Sequence, residues 1–148
     1  MVETKYGKYI VTEKKSRVNK PKWETWPDPK SVVPVIMMDS DVVEGTPIFR
    51  CVWFLPTEKG TPDEGVFNES HTHDFDEILT FFGTDPKNPQ DLGAEIALWL
   101  GDEKHIITES CVIFIPRGLA HKLVNLRIDR PVMHQMTATT KKYGGTVV

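Results

Sequence analysis

With 148 residues and 39% hydrophobic side chains, the chain is long enough to bury one core and too short for two comfortable ones. A net charge of −3 supplies no overall basic field, which sets nucleic acid aside as a partner, and no run approaches the ~20 apolar residues of a membrane helix. Cys51 and Cys111 lie sixty residues apart, so neither a zinc knuckle nor a disulfide framework is supported, and both read as buried thiols.

The start, Met1-Val2-Glu3-Thr4-Lys5-Tyr6, lacks the basic-then-apolar layout of a secretory signal, and a cytoplasmic location is expected. Glu13 and Glu24 flank the basic run Lys14, Lys15, Arg17, Lys20 and Lys22, so this run does not restore a nucleic-acid surface. Pro21, Pro27, Pro29 and Pro34, with Trp23 and Trp26 between them, predict an extended loop that packs through its indoles. Residues 1–34 are accordingly expected to form an arm on the body, residues 35–140 the body itself and residues 141–148 a C-terminal tail.

Within the body, apolar runs of strand length recur at 35–38, 47–55, 78–82, 95–100, 111–115, 121–126 and 131–137. Gly, Pro, Asp and Asn punctuate the gaps, as in Gly60-Thr61-Pro62-Asp63 and Arg127-Ile128-Asp129-Arg130-Pro131. A hairpin is expected at Gly101-Asp102-Glu103, joining 95–100 to 104–108. With no convincing amphipathic helix, the pattern is all-β, an antiparallel sandwich or barrel. Both alternating sets in 48–55 are apolar, which predicts that the outer sheet face is covered by the arm or by a second subunit, a homodimer being the simplest assembly. Trp53, Phe54, Phe81, Phe82, Trp99 and Phe114 are candidates for the lining. Two Tyr-Gly elements, Tyr6-Gly7 and Tyr143-Gly144, are too short to form a repeat.

The string His71-Thr72-His73-Asp74-Phe75-Asp76-Glu77 carries the chemistry. At this composition an HxHxxxE string arises by chance in about one chain in a hundred. His71 and His73 project from one face of a strand with Cα atoms about 6 to 7 Å apart, so their rings can converge on one ion. On a straight continuation Glu77 would lie about 13 Å beyond His73, out of reach of ~2 Å ligand bonds. The chain must therefore turn at Asp74-Phe75-Asp76, and folding there would return Glu77 beside His73 on an antiparallel strand. Pro116 and Gly118 can make a second turn that delivers His121 at the start of a strand. Three neutral His and one carboxylate suit one divalent transition-metal ion: Fe, Mn, Ni, Co, Cu or Zn. His105 and His134 lack such spacing and read as ordinary strand residues.

These residues resemble the two cupin motifs, G(x)5HxH(x)3-4E(x)6G and G(x)5PxG(x)2H(x)3N. Gly65, His71, His73 and Glu77 match the first, with Gly83 one residue early; Pro116, Gly118, His121 and Asn125 match the second, with Ser110 in place of its leading glycine. The resemblance covers residues 47–138 and implies a double-stranded β-helix, or jelly-roll, barrel with one metal inside. It does not imply one reaction, because cupins include isomerases, dioxygenases, decarboxylases, lyases, hydrolases and non-catalytic binders. The interval from Glu77 to Pro116 exceeds that of compact members. Its excess is the loop 84–93, either a cavity rim or a surface excursion.

Such a centre can polarise a carbonyl or hydroxyl oxygen, activate water, or bind O₂ if the ion is redox active. The expectation is a metal-dependent enzyme acting on a small oxygenated, optionally carboxylated, metabolite by isomerisation, elimination or hydrolysis. The alternatives are an Fe(II)-dependent dioxygenase and a non-catalytic small-molecule binder or sensor. Glu77 is a candidate base if loosely held and a ligand if firmly held. Asn125 shares the strand parity of His121 and is a candidate hydrogen-bonding group behind the ligands, or a strand-end cap. Arg50, inside an apolar run, either pairs with an internal carboxylate or receives an anionic substrate. Arg117 reads as solvated.

Overall fold

The computed structural model describes residues 4–12, 31–56, 69–141 and 143–148. The loop around Trp23 and Trp26, the basic run and Gly65 lie outside the described residues. Among the described residues, ten strands form two five-stranded sheets, in which every pairing is antiparallel. The strands are β1 (Val32–Met38), β2 (Ile48–Phe54), β3 (His71–Thr72), β4 (Glu77–Phe82), β5 (Asp91–Leu100), β6 (Glu103–Glu109), β7 (Cys111–Ile115), β8 (His121–Ile128), β9 (Val132–Ala138) and β10 (Thr146–Val147). One sheet runs β1-β2-β9-β4-β7 and the other β10-β3-β8-β5-β6, the jelly roll that the motifs imply. Among the described residues, no helix is long and apolar enough to cross a membrane.

Alternation decides which side chains fill the space between the sheets. In β9, Val132, His134, Met136 and Ala138 are buried while the residues between them are half-buried, and in β4 Glu77, Leu79 and Phe81 point the same way. Register then aligns the two sets, pairing Ala138 with Glu77, Met136 with Leu79 and His134 with Phe81. Phe54, Phe81, Leu98 and Met136 are fully buried in this core, each contributing about 1.5 to 3 kcal/mol relative to exposure.

All seven expected strands form, 111–115 with the expected bounds and the other six with shifted ones. β5 starts at Asp91 because a bulge before Ile96, with Gly93 at φ 65°, lets the strand bend and continue. The hairpin turn is tighter than expected: Leu100 pairs with Glu103, leaving the two-residue loop Gly101-Asp102 with Gly101 at φ 63°. β1 begins inside the span assigned to the arm and tolerates Pro34 because it is an edge strand whose register shifts between Pro34 and Ile36.

Of the six aromatic side chains expected to line the barrel, only Phe54 and Phe81 do so. Phe82 and Phe114 are exposed on the opposite parity, and Trp99 lies outside beneath the ammonium groups of Lys104 and Lys122. The outer set of β2 is buried at Cys51 and half-buried at Phe49 and Trp53 within the single chain.

The two departures from the motifs meet in space. Gly83 N–H donates to the Ser110 hydroxyl at 2.9 Å, and that hydroxyl donates to the Pro89 carbonyl at 2.7 Å. A Cβ on Gly83 would collide with the Asp91 backbone carbonyl, which explains a glycine here. Ser110 thus closes the base of the 84–90 loop. This loop follows Phe82, roughly 16 Å along β4 from Glu77, so it is a surface excursion at the other end of the barrel and does not rim the histidines. Gly83→Ala should lower stability by about 1 to 3 kcal/mol through the backbone collision, and Ser110→Ala by a similar amount through the lost hydrogen bonds. Urea unfolding midpoints that match wild type in both variants would remove this account.

Candidate metal centre

Both motif turns are corners at which the chain leaves one sheet for the other. β3 belongs to the second sheet and β4 to the first, so the turn 74–76 carries Glu77 across the barrel. This corrects the expected hairpin: Glu77 faces His73 from the opposite sheet and not from a neighbouring strand. The second corner is a turn in which Leu119 N–H donates to Pro116 C=O, with Gly118 at φ 83°. The corners are bonded to each other through Gly118 N–H to His73 C=O at 2.9 Å and Arg117 N–H to the Asp76 carboxylate at 3.0 Å. Asp76 C=O also accepts from Thr139 N–H at 3.1 Å.

The structure brings His71, His73 and His121 together, with ring nitrogens within 4.8 Å of one another. His71 and His121 are direct cross-strand partners, and all three are buried. Each ring donates its Nδ1–H to a backbone carbonyl at 2.9 Å: His71 to Glu69, His73 to Phe75, His121 to Leu119. The tautomer is thereby set, and every Nε2 carries a lone pair directed at the centre.

Glu77 Oε2 lies 3.0 Å from His73 Nε2 and 3.2 Å from His121 Nε2. A carboxylate oxygen facing two nitrogen lone pairs is acceptor against acceptor, an arrangement that needs a cation between them. A transition-metal ion fits this donor set, since one charge satisfies the imidazoles and the carboxylate together. His134 and His105 do not join the group.

Burial holds the His71 imidazole down at about 4, with His121 adding to the effect. Burial would raise the Glu77 carboxyl, but once the His121 and His73 rings carry a proton on Nε2, their hydrogen bonds and charge outweigh it and bring it to about 2. His134, stacked between Phe54 and Phe81, is likewise lowered to about 4 by burial and then by the Arg50 charge.

Arg50 shares the inward parity of Ile48 and Val52 and pairs with Met136, one step deeper than Glu77. Asn125 follows His121 and Leu123 on the inward set of β8, and its Oδ1 is buried with no hydrogen-bond partner among the described residues. Arg117 is exposed, at a cleft of about 800 Å³ that His73, Phe75, Gly118 and Thr146 also line.

Two ring neighbours escaped the sequence reading. Phe75 stacks on His73 with centroids 4.1 Å apart, and Tyr143 places its hydroxyl 3.4 Å from His71 Nε2. Phe75 is visible in sequence only as an aromatic within a motif turn. Tyr143 carries no local signal, because its partner lies 72 residues away.

No protein-family model matches the sequence, and no curated protein matches it. Among solved structures, the chain is similar to an oxalate oxidase, with 19% identity over 82% of this chain and 57% of that one, and a TM-score of 0.52. It is also similar to the polyketide cyclase RemF from Streptomyces resistomycificus (16% identity, 80% and 72% covered, TM-score 0.52). A third is Peruvianin-I, a cysteine peptidase from Thevetia peruviana latex (13%, 99% and 80%, TM-score 0.56). The chain spans little more than half the length of the oxalate oxidase. Likeness at these identities establishes the fold, and an oxidase, a cyclase and a peptidase share no reaction.

Acid should destabilise the metal-free protein through these buried groups. His71 and His134, at about 4 in the fold against 6.5 when free, take up protons first in the unfolded chain, so stability falls as pH drops from 6.5 to 4. Glu77, at about 2 against 4.5, extends the loss below pH 4.5. The urea midpoint should decline throughout this range, and His134→Phe, which retains the stack, should flatten the decline between pH 6.5 and 4. An unchanged slope in that variant would contradict the assignment.

Proposed function

We propose that this chain, a cupin by its fold, holds one divalent transition-metal ion on His71, His73, His121 and Glu77 and acts as a Lewis-acid enzyme on a small oxygenated, carboxylated metabolite by isomerisation, elimination or hydrolysis. The observation that carries the reading is the meeting of three Nε2 lone pairs with one carboxylate inside a buried centre. The ion, when bound, polarises a substrate oxygen and acidifies the adjacent C–H or a water.

The chain's own groups set the conditions for that chemistry. Backbone carbonyls hold the imidazoles neutral and oriented. The contact of the buried Glu77 carboxylate with two Nε2 atoms supports the ligand role for Glu77 and assigns proton transfer elsewhere. Arg50, inward-facing and near His134, is the group suited to a substrate carboxylate, and the buried Asn125 Oδ1 suits a substrate hydroxyl.

His71→Ala and His121→Ala should each reduce metal affinity by more than about 100-fold, beyond the roughly 10–100-fold that loss of an outer partner costs. Metal analysis finding full occupancy in both variants would sink the centre. In the same preparations, a screen of hydroxy- and keto-carboxylates should raise the thermal midpoint of the metal-loaded wild type, with the shift lost in Arg50→Ala at unchanged metal content. A shift that persists in Arg50→Ala would remove Arg50 from the substrate site.

The assembly we favour is a homodimer formed through the outer face of β4 and β7. Ile78, Val112 and Phe114 are 41%, 64% and 60% exposed there, with Ile78 opposite Phe114 and Thr80 opposite Val112. Phe114→Lys should shift the sedimentation coefficient from dimer to monomer; a monomeric wild type would exclude the assembly.

A further inference from the structure

The C-terminal segment returns to the barrel. β10 extends the second sheet beyond β3, with Thr146 opposite Thr72 and Val147 opposite His71, and Val148 N–H donates to Ser70 C=O at 2.8 Å. This register fixes where the preceding residues pass. Tyr143, just before Gly144 and Gly145, comes beside His71 and His73, with its ring 6.0 Å from that of His73 and 5.6 Å from that of Phe75. Its hydroxyl oxygen lies 3.4 Å from His71 Nε2, the nitrogen that His71 directs at the centre.

Edge lengths give this contact its meaning. Neighbouring ligands on an octahedral ion with bonds of ~2.1 Å lie roughly 3.0 Å apart. The Glu77 edges to His73 and His121 are 3.0 and 3.2 Å, and the Tyr143 edge to His71 is 3.4 Å. Glu77 contacts two histidines, and Tyr143 stands against the third.

We infer that Tyr143 is a fifth protein donor to the metal, its phenol oxygen taking a position beside His71; this rests on the metal centre proposed above. On coordination the hydroxyl proton passes to bulk buffer and the oxygen bonds the ion. Five protein donors leave one open octahedral position. A substrate that chelates through two oxygens therefore displaces Tyr143, and the C-terminal strand takes part in substrate admission.

The test uses the full chain loaded with Fe(III), since a tyrosine oxygen bound to ferric iron produces a visible charge-transfer band that histidine and carboxylate ligands lack. Metal analysis and absorption spectra are recorded for wild type and Tyr143→Phe. The expected result is one iron in wild type with the band present, and no band in Tyr143→Phe, whether or not that variant retains its iron. Iron-loaded wild type without the band, or a band of equal strength in the variant, overturns the role of Tyr143 and leaves the metal centre standing. Failure of wild type to bind Fe(III) or any of the divalent ions Fe, Mn, Ni, Co, Cu and Zn overturns both.

Discussion

Three imidazoles that have each committed their only N–H to a backbone carbonyl, and one carboxylate pressed against two of them, form an arrangement that is repulsive without a cation. The rest of the site follows from this conflict. Because the Nδ1 partners at Glu69, Phe75 and Leu119 are main-chain atoms, each two residues from its histidine, ring orientation is a property of local backbone path. No distant side chain is needed to aim the rings. Burial then raises the cost of any uncompensated charge, which holds the His71 imidazole down at about 4.

Backbone path is in turn fixed by the two sheet-crossing corners. Gly118 N–H on His73 C=O and Arg117 N–H on Asp76 join the corner carrying two ligands to the corner preceding the fourth. Each such bond contributes only about 1 kcal/mol net. Their importance is geometric, since ligands displaced by an ångström or so no longer share one ion. Gly118 has open space where a Cβ would stand, yet its φ of 83° disfavours any larger residue, so its requirement is conformational. Gly83 is the converse case: steric exclusion at the Asp91 carbonyl makes glycine necessary.

What was legible in the sequence was whatever depended on short-range spacing. Apolar runs of strand length between turn residues located the strands, and HxHxxxE with PxGxxH located the ligands. The bend after His73 also followed, because ~13 Å cannot be spanned by ~2 Å bonds. Its destination did not. A turn that returns a strand to its neighbour and one that sends it to the facing sheet use the same polar residues, and only the pairing of β4 with β7 and β9 distinguishes them. Parity misled for Phe82, Trp99 and Phe114 because strands with apolar residues on both faces carry no sign of which set turns inward. Tyr143 depends on the register of β10 with β3, a contact between the chain's end and its middle that no spacing encodes.

The fold and the chemistry therefore separate along a physical line. Two corners and three backbone-anchored histidines belong to the barrel, and any chain with this topology and these motifs can form them. The groups proposed to meet the substrate come from elsewhere: Arg50 from β2, Asn125 from the far half of β8, and Tyr143 from the segment just before the two-residue edge strand β10. Arg50 and Asn125 sit on rigid interior strands and can define the shape and charge of a bound molecule. Tyr143 lies outside the strands, joined through Gly144 and Gly145 to the two-residue strand β10, so on the proposal above it can yield to an incoming ligand at small cost. With Tyr143 as the proposed fifth donor, a centre with fixed ligands on one side and a yielding one on the other would favour substrates that bind through two oxygens, because only these recover the bond that displacing Tyr143 gives up. Selectivity would then come less from the metal than from the strength of a short C-terminal strand.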